Sequence, residues 1–273
     1  MTTATAGIDR VRHHLARIGA ASLCRFKDRY LERRLQSRCR ARGVPDLDAY
    51  ADLLDRDPDE GRRLVSAVAL GVTSFFRNPQ AWHRLAALLS AECRAPSAEC
   101  RVPSAECRAW SSACATGEEA WSLALLLNGL VAEGRFAAWS VDATDLDPRS
   151  LAVARAAEYS DRCRPDIEAV VGPLLGADAP GRFVLPDSLR RSVQFSVADL
   201  TVPVARGPYD VVLCRNVLMY FDVQTQRRVI DNVLTSLRPG GLLMLGKAEL
   251  AGFDLLPRLE LLDGRERIYR RAR

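Results

Sequence analysis

The segment Ala113-Cys-Ala-Thr-Gly-Glu-Glu119 joins an apolar run (Cys107 to Ser112) to an amphipathic one (Ala120 to Val131). One glycine, two carboxylates and a helix start in a tight turn suit a ligand that carries an adenosine and a cationic group. A second apolar run ends in Thr144-Asp-Leu-Asp147, where further carboxylates meet the ribose position of a strand-helix-strand unit. Neither the G-x-G-x-x-G of dinucleotide sites nor the G-x-x-x-x-G-K-S/T of phosphate loops is present. Paired glutamates at a helix start repel a pyrophosphate and attract the sulfonium and ammonium of S-adenosylmethionine. A plainer role for Glu118 and Glu119 is to stabilise the helix dipole, worth about 0.3–1 kcal/mol each. Asp145 and Asp199, both at expected strand ends, favour the ligand reading.

The elements that must position these groups follow from periodicity. Up to Leu89 the patterns are helical: Val11–Ile18, Leu23–Arg42, Leu47–Leu54, Asp59–Leu70 and Pro79–Leu89. From Cys107 strands and helices alternate: strands at 107–113, 137–143, 193–197, 209–214 and 240–246, helices at 118–132, 148–157 and 223–237. Alternation of this kind predicts an α/β fold with a mostly parallel sheet, and Leu259–Tyr269, turning at Asp263-Gly264, predicts a terminal antiparallel hairpin. The expected organisation is a helical domain over 1–89, a linker over 90–106 and a sheet domain over 107–273. A Pro- and Gly-rich insertion at about 160–192 shows no clear hairpin alternation at Gly181-Arg-Phe-Val-Leu185.

With 273 residues and 48% hydrophobic content the chain can bury a full core. The N-terminus lacks the apolar stretch of a signal peptide, and no run of about 20 apolar residues occurs, so a cytoplasmic location without membrane insertion is expected. Eight cysteines without a C-x-x-C pair, and only three histidines, give no support to a metal site. The seven-residue spacing of Cys93, Cys100, Cys107 and Cys114 has a simpler origin: Ser90-Ala-Glu-Cys-Arg-Ala-Pro96 and two successive near copies form a tandem repeat in the linker. The net charge of +5 is concentrated between Arg25 and Arg42. Arg34, Arg38 and Arg42 share an i, i+4, i+8 face, and with Arg33 they form a candidate docking surface for an acidic partner. The other reading is a solvated helix face. Aromatic residues for base stacking are sparse there, which argues against nucleic acid.

Six motifs in order carry a family resemblance: Arg33-Arg34-Leu-Gln-Ser-Arg38, Val72-Thr-Ser-Phe-Phe-Arg77, Trp110-Ser-Ser-Ala-Cys-Ala-Thr-Gly-Glu-Glu119, Ala143-Thr-Asp-Leu-Asp147, Cys214-Arg-Asn-Val-Leu-Met-Tyr-Phe221 and Leu237-Arg-Pro-Gly-Gly-Leu-Leu243. The chain resembles the CheR-type chemotaxis receptor methyltransferases over nearly its whole length. The resemblance implies a class I S-adenosylmethionine-dependent methyltransferase domain behind a small all-α domain. It also implies transfer of a methyl group to glutamate carboxylates on chemoreceptor helices, with S-adenosylhomocysteine as product. By position, it assigns Thr73 and Arg77 to the cofactor from the N-terminal side, Glu118 and Glu119 to its methionine part and Asp145 to the ribose. Asp199 and Leu200 would border the adenine. Arg215 and Asn216 end the next strand, also in cofactor positions, and Tyr220 stands by the methyl. Arg77, Arg215 and Tyr220 are the candidates for holding the incoming carboxylate, and Phe75 and Phe76 are expected to pack. The chain departs from the family at Gly71, where asparagine is common, and at Gly246-Lys-Ala-Glu249, which replaces Gly-His-Ser-Glu.

A substrate glutamate is already ionised at neutral pH, with a pKa of about 4.3, so the transfer needs no general base. The three histidines all precede the sheet domain, in keeping with this. A monomer acting on acidic, glutamate-rich receptor helices is the expected form. Two alternatives remain open: a methyltransferase of the same fold acting on another carboxylate or a small molecule, and a silent module that binds the cofactor as a signal.

Overall fold

Apolar residues recurring every three to four positions set the helices of the first third of the chain. The computed structural model describes residues 3–69, 71, 73–92, 106–173, 177–204, 206–250 and 257–272. It has α1 (Thr3–Arg17), α2 (Asp28–Arg42), α3 (Leu47–Arg56), α4 (Pro58–Val68) and α5 (Pro79–Glu92). Asp46 caps α3 by accepting the Ala49 N–H at 2.8 Å, and Asp57 caps α4, which opens on Pro58. The buried stripe Leu31, Leu35 and Cys39 of α2 shares a core with Val11, Leu15, Tyr50 and Leu64.

The continuous helix expected over Leu23–Arg42 is broken. Residues Ala21–Arg25 form a short 3-10 helix, Phe26 is extended, and α2 starts at Asp28. Phe26 pairs across an isolated β-bridge with Phe221, the Lys27 N–H donates to the Tyr220 carbonyl at 2.8 Å, and the Asp222 N–H donates to the Arg25 carbonyl at 3.1 Å. Tertiary pairing with the sheet domain overrides the helical propensity of this stretch.

The sheet domain runs β1 (Glu106–Ser112), α6 (Glu118–Ala132), β2 (Ala138–Asp145), α7 (Pro148–Ala156), β3 (Glu158–Ser160), α8 (Arg164–Val171), β4 (Ala177–Ala179), β5 (Arg182–Val184), α9 (Asp187–Arg190), β6 (Val193–Val197), β7 (Tyr209–Cys214), α10 (Val223–Ser236), β8 (Leu237–Leu245), β9 (Leu259–Asp263) and β10 (Ile268–Arg271). The main sheet is ordered β6-β2-β1-β7-β8-β10-β9. Its first five strands are parallel, and β10 and β9 close one edge as the expected antiparallel hairpin. β8 begins at Leu237, three residues before the expected start, so Pro239-Gly240-Gly241 lies inside the strand. The register shifts there against β7, and a Cβ at Gly241 would stand 3.0 Å from the Asp210 carbonyl, which explains the glycine.

The insertion is a small antiparallel sheet, β3-β5-β4. Gly181, at φ +77°, makes the β4–β5 turn that the sequence does not reveal, because strands of three residues are too short to show alternation. One face of the main sheet, with Trp110, Val212 and Leu243, shares a core with α10 and the helical domain. The other face packs Ala109, Val211 and Met244 against α6 and α5. Thus α5, which the sequence groups with the helical domain, packs with the sheet through Trp82, Leu85 and Leu89. Most of the linker repeat, including Cys93 and Cys100, lies outside the described residues; Cys107 and Cys114 are buried.

Candidate active site

The loops at the carboxyl ends of β1, β2 and β7 meet the N-terminal domain in one cleft, where ligands bind in open α/β sheets. After β1 the backbone turns through three left-handed residues, Ala113, Ala115 and Gly117. Gly117 sits at φ +98°, and a Cβ there would stand 2.7 Å from Ala154 Cβ and 2.9 Å from the Tyr159 hydroxyl. Only glycine fits. Asp145 braces this turn, accepting the Ala115 N–H at 2.8 Å on one oxygen and the Asp147 N–H at 2.9 Å on the other. Burial raises its pKa.

A cleft lies between the two domains, walled by Phe26, Asp145, Leu146, Leu200, Asn216 and Tyr220 among others. The structure therefore brings four of the sequence-derived residues, Asp145, Leu200, Asn216 and Tyr220, around one cavity. Asp199 is not among them. Its carboxylate accepts the Ser22 N–H at 3.0 Å and both the N–H and hydroxyl of Thr201, so it ties the sheet domain to the helical domain.

Thr73, Arg77, Glu118, Glu119 and Arg215 also lie outside this wall. Glu118 is half-buried, accepts the Thr116 hydroxyl at 2.7 Å and has a pKa raised by burial. Ser122 donates to the Glu118 carbonyl and accepts the Phe76 N–H at 2.8 Å, anchoring the Thr73–Arg77 segment to α6. Phe75 and Phe76 are buried, edge-on to Tyr159 and Trp82 respectively, so their expected packing role matches their placement. Thr73 and Arg77 are half-buried beside them.

Arg215 is held by its own set of partners. Its side chain is 1% exposed and pairs with Glu119 at 3.3 Å; it also donates to the Arg77 carbonyl at 2.8 Å and lies over the Trp82 ring. Burial lowers the Arg215 pKa and raises that of Glu119, which also accepts the Ser111 hydroxyl. This buried pair locks α6 to the β7 loop.

The basic helix is likewise divided. Arg38 donates to fully buried Glu60 through Nε at 3.0 Å and Nη2 at 2.5 Å; Tyr50 donates to the same oxygen, and Arg42 lies 3.4 Å from the other. Arg38 and Arg42 therefore hold the helical domain together, because an unpaired buried carboxylate is costly. Arg34 is half-buried over Tyr30. Arg33 is exposed, and the 100° step of α2 puts it on one face with exposed Arg29, Gln36 and Arg40. Leu31, Leu35 and Cys39 fix the inward side of α2, so the i, i+4 series Arg34, Arg38 and Arg42 is not its outward face. The rings of Tyr30 and Phe26 pack on Tyr220 at centroid distances of 5.0 and 6.0 Å.

Fold and cleft define an S-adenosylmethionine-binding protein of the class I methyltransferase type. Residues 71–257 match the family described as CheR methyltransferase, SAM binding domain, and residues 22–69 match CheR methyltransferase, all-alpha domain. The chain belongs to the CheR methyltransferase family. It is 36% identical over 223 residues to the probable biofilm formation methyltransferase WspC of Pseudomonas putida, covering 80% of this chain and 51% of that one. It is 31% identical over 250 residues to chemotaxis protein methyltransferase 2 of Pseudomonas aeruginosa, covering 88% and 85%. It is 32% identical over 229 residues to the Escherichia coli chemotaxis protein methyltransferase, covering 79% and 74%. The chain spans about half the length of the WspC relatives it matches.

Proposed function

We propose that this chain transfers the methyl group of S-adenosylmethionine to glutamate side-chain carboxylates on cytoplasmic chemoreceptor helices, giving methyl esters. The observation that carries this reading is the single cleft that gathers Asp145, Asn216 and Tyr220 under the helical domain. The residues fit the cofactor. Each Asp145 oxygen accepts one backbone N–H, and a carboxylate has about four lone-pair sites, so acceptors remain for two ribose hydroxyls. Leu146, Leu200 and Phe26 offer apolar walls for a purine. Glu118 supplies negative charge for an ammonium group.

When bound, S-adenosylmethionine supplies a methyl group activated by its sulfonium. The chain's residues have little chemistry to add, because a substrate glutamate is already nucleophilic at neutral pH. Tyr220 orients that carboxylate through its hydroxyl, and Arg77, outside the cleft wall, adds positive charge from the adjoining Thr73–Arg77 segment. Phe26 and Tyr30 fix the Tyr220 ring and exclude water, and alignment of this kind contributes up to about 7–11 kcal/mol in well-oriented cases. Arg29, Arg33 and Arg40 present positive charge to an acidic helix from the same domain. The likeness to WspC favours a receptor serving biofilm formation as a second reading of the target. Among the described residues no helix is long and apolar enough to cross a membrane.

The test is incubation with methyl-labelled cofactor and membranes of the source cell, followed by mild alkali. Label on a receptor-sized band, released as methanol, supports the proposal. Alkali-stable label, or label only on a small molecule, overturns the substrate.

A further inference from the structure

We infer that Glu249 is a positioning residue for the transfer step, setting the loop that carries Asn216 and Tyr220. This rests on the reading of Tyr220 as the group that orients the incoming carboxylate. Glu249 is 3% exposed and lies beyond the end of β8. One carboxylate oxygen accepts the N–H groups of Asn216 and Gly246, both at 2.8 Å, and the other accepts the Met219 N–H at 3.3 Å. Asn216 lies two residues beyond β7 and Gly246 follows directly on β8; Met219 is the central residue of the 3-10 turn Leu218–Tyr220.

The surroundings are built to this carboxylate. Asn216 adopts φ +61°, an uncommon conformation for a non-glycine residue, and its N–H is held there by Glu249. A Cβ on Gly246 would lie 2.6 Å from the Glu249 oxygen and 2.9 Å from the Asn216 nitrogen, so the approach requires glycine. The neighbouring Lys247 pairs with Glu266 at 3.3 Å. Glu249 thus spends its charge on backbone donors of the loop whose side chains wall the cleft. A glutamine in its place turns one acceptor into a donor that faces another N–H.

A double-substitution cycle on the full chain tests the assignment, with the circular dichroism spectrum and melting temperature as the check on folding. E249Q should lower kcat about tenfold with little change in KM for the receptor substrate; in a Y220F background the same change should cost less than about threefold, since coupled residues lose their effect together. An equal loss in both backgrounds overturns the role of Glu249 while leaving Tyr220 in place. A Y220F enzyme with unaltered kcat removes the reading of Tyr220 and the inference with it. Should E249Q fail to fold, E249D, which keeps the charge but shortens its reach, enters the same cycle under the same criteria.

Discussion

The rings of Tyr30 and Tyr220 lie 5.0 Å apart at 42°, joining the second helix of the N-terminal domain to the loop after β7. The Tyr30 hydroxyl donates to the Val68 carbonyl at 2.9 Å and accepts the Arg34 Nε–H at 3.1 Å. Phe26 and Phe221, 4.9 Å apart, complete the contact. Tyr220 can therefore be changed at its hydroxyl without loss of its ring contacts. Y220F should keep the melting temperature and S-adenosylhomocysteine affinity of the parent while its kcat falls about tenfold, or 1.4 kcal/mol. Y30L, which removes an aromatic pair worth about 0.5–1.5 kcal/mol, should lower both stability and kcat. Melting curves and initial rates on the same samples check both.

Two classes of arginine on α2 should separate in experiment. R38A strips a buried carboxylate of its principal partner and is expected to cost about 3–5 kcal/mol of stability, read by denaturant unfolding. R29E/R33E alters exposed side chains and should leave unfolding unchanged while raising KM for the receptor severalfold. Equal effects of the two changes on unfolding would contradict the division.

Much of this architecture was legible in the sequence, and the exceptions share a cause. The strand Tyr209–Cys214 and the helix Glu118–Ala132 coincide with their apolar runs because most of their residues are buried. The break at Phe26, the ion pair of Glu119 with Arg215 and the attachment of Asp199 to Ser22 depend on partners 96 to 195 positions away in the chain, which local periodicity cannot register. Asp145 ends a strand, which marks it in the sequence alone, whereas Leu200, Asn216 and Tyr220 stand out through the family resemblance of their motifs. Glu249 was overlooked as a functional group because its contacts are all to backbone N–H groups, which leave no side-chain pattern.

Acidity should act on the site with a definite sign. Burial raises the pKa of Glu118, so the folded chain holds that proton more tightly than the unfolded one. The group favours folding below its unfolded pKa, and this contribution is lost as pH rises through the folded value. E118Q should therefore melt higher than the parent at pH 7, with the difference fading toward acid pH, and should bind the cofactor more weakly. A melting difference that grows on acidification would contradict the assignment.

Gly117 offers a test of the turn itself. G117A places a Cβ against Ala154 and Tyr159 at a positive φ and should cost about 1–3 kcal/mol, with cofactor binding lost before the fold. Circular dichroism melts paired with ligand titration would follow both.

Calorimetric titration of S-adenosylhomocysteine into the parent chain and into D145A tests the cofactor site most directly. The account predicts saturable binding to the parent and a loss of at least about tenfold in the variant, equivalent to one hydrogen-bonded carboxylate contact of about 1.4 kcal/mol, with both proteins folded. Equal affinity in the two would place the cofactor elsewhere and contradict the site.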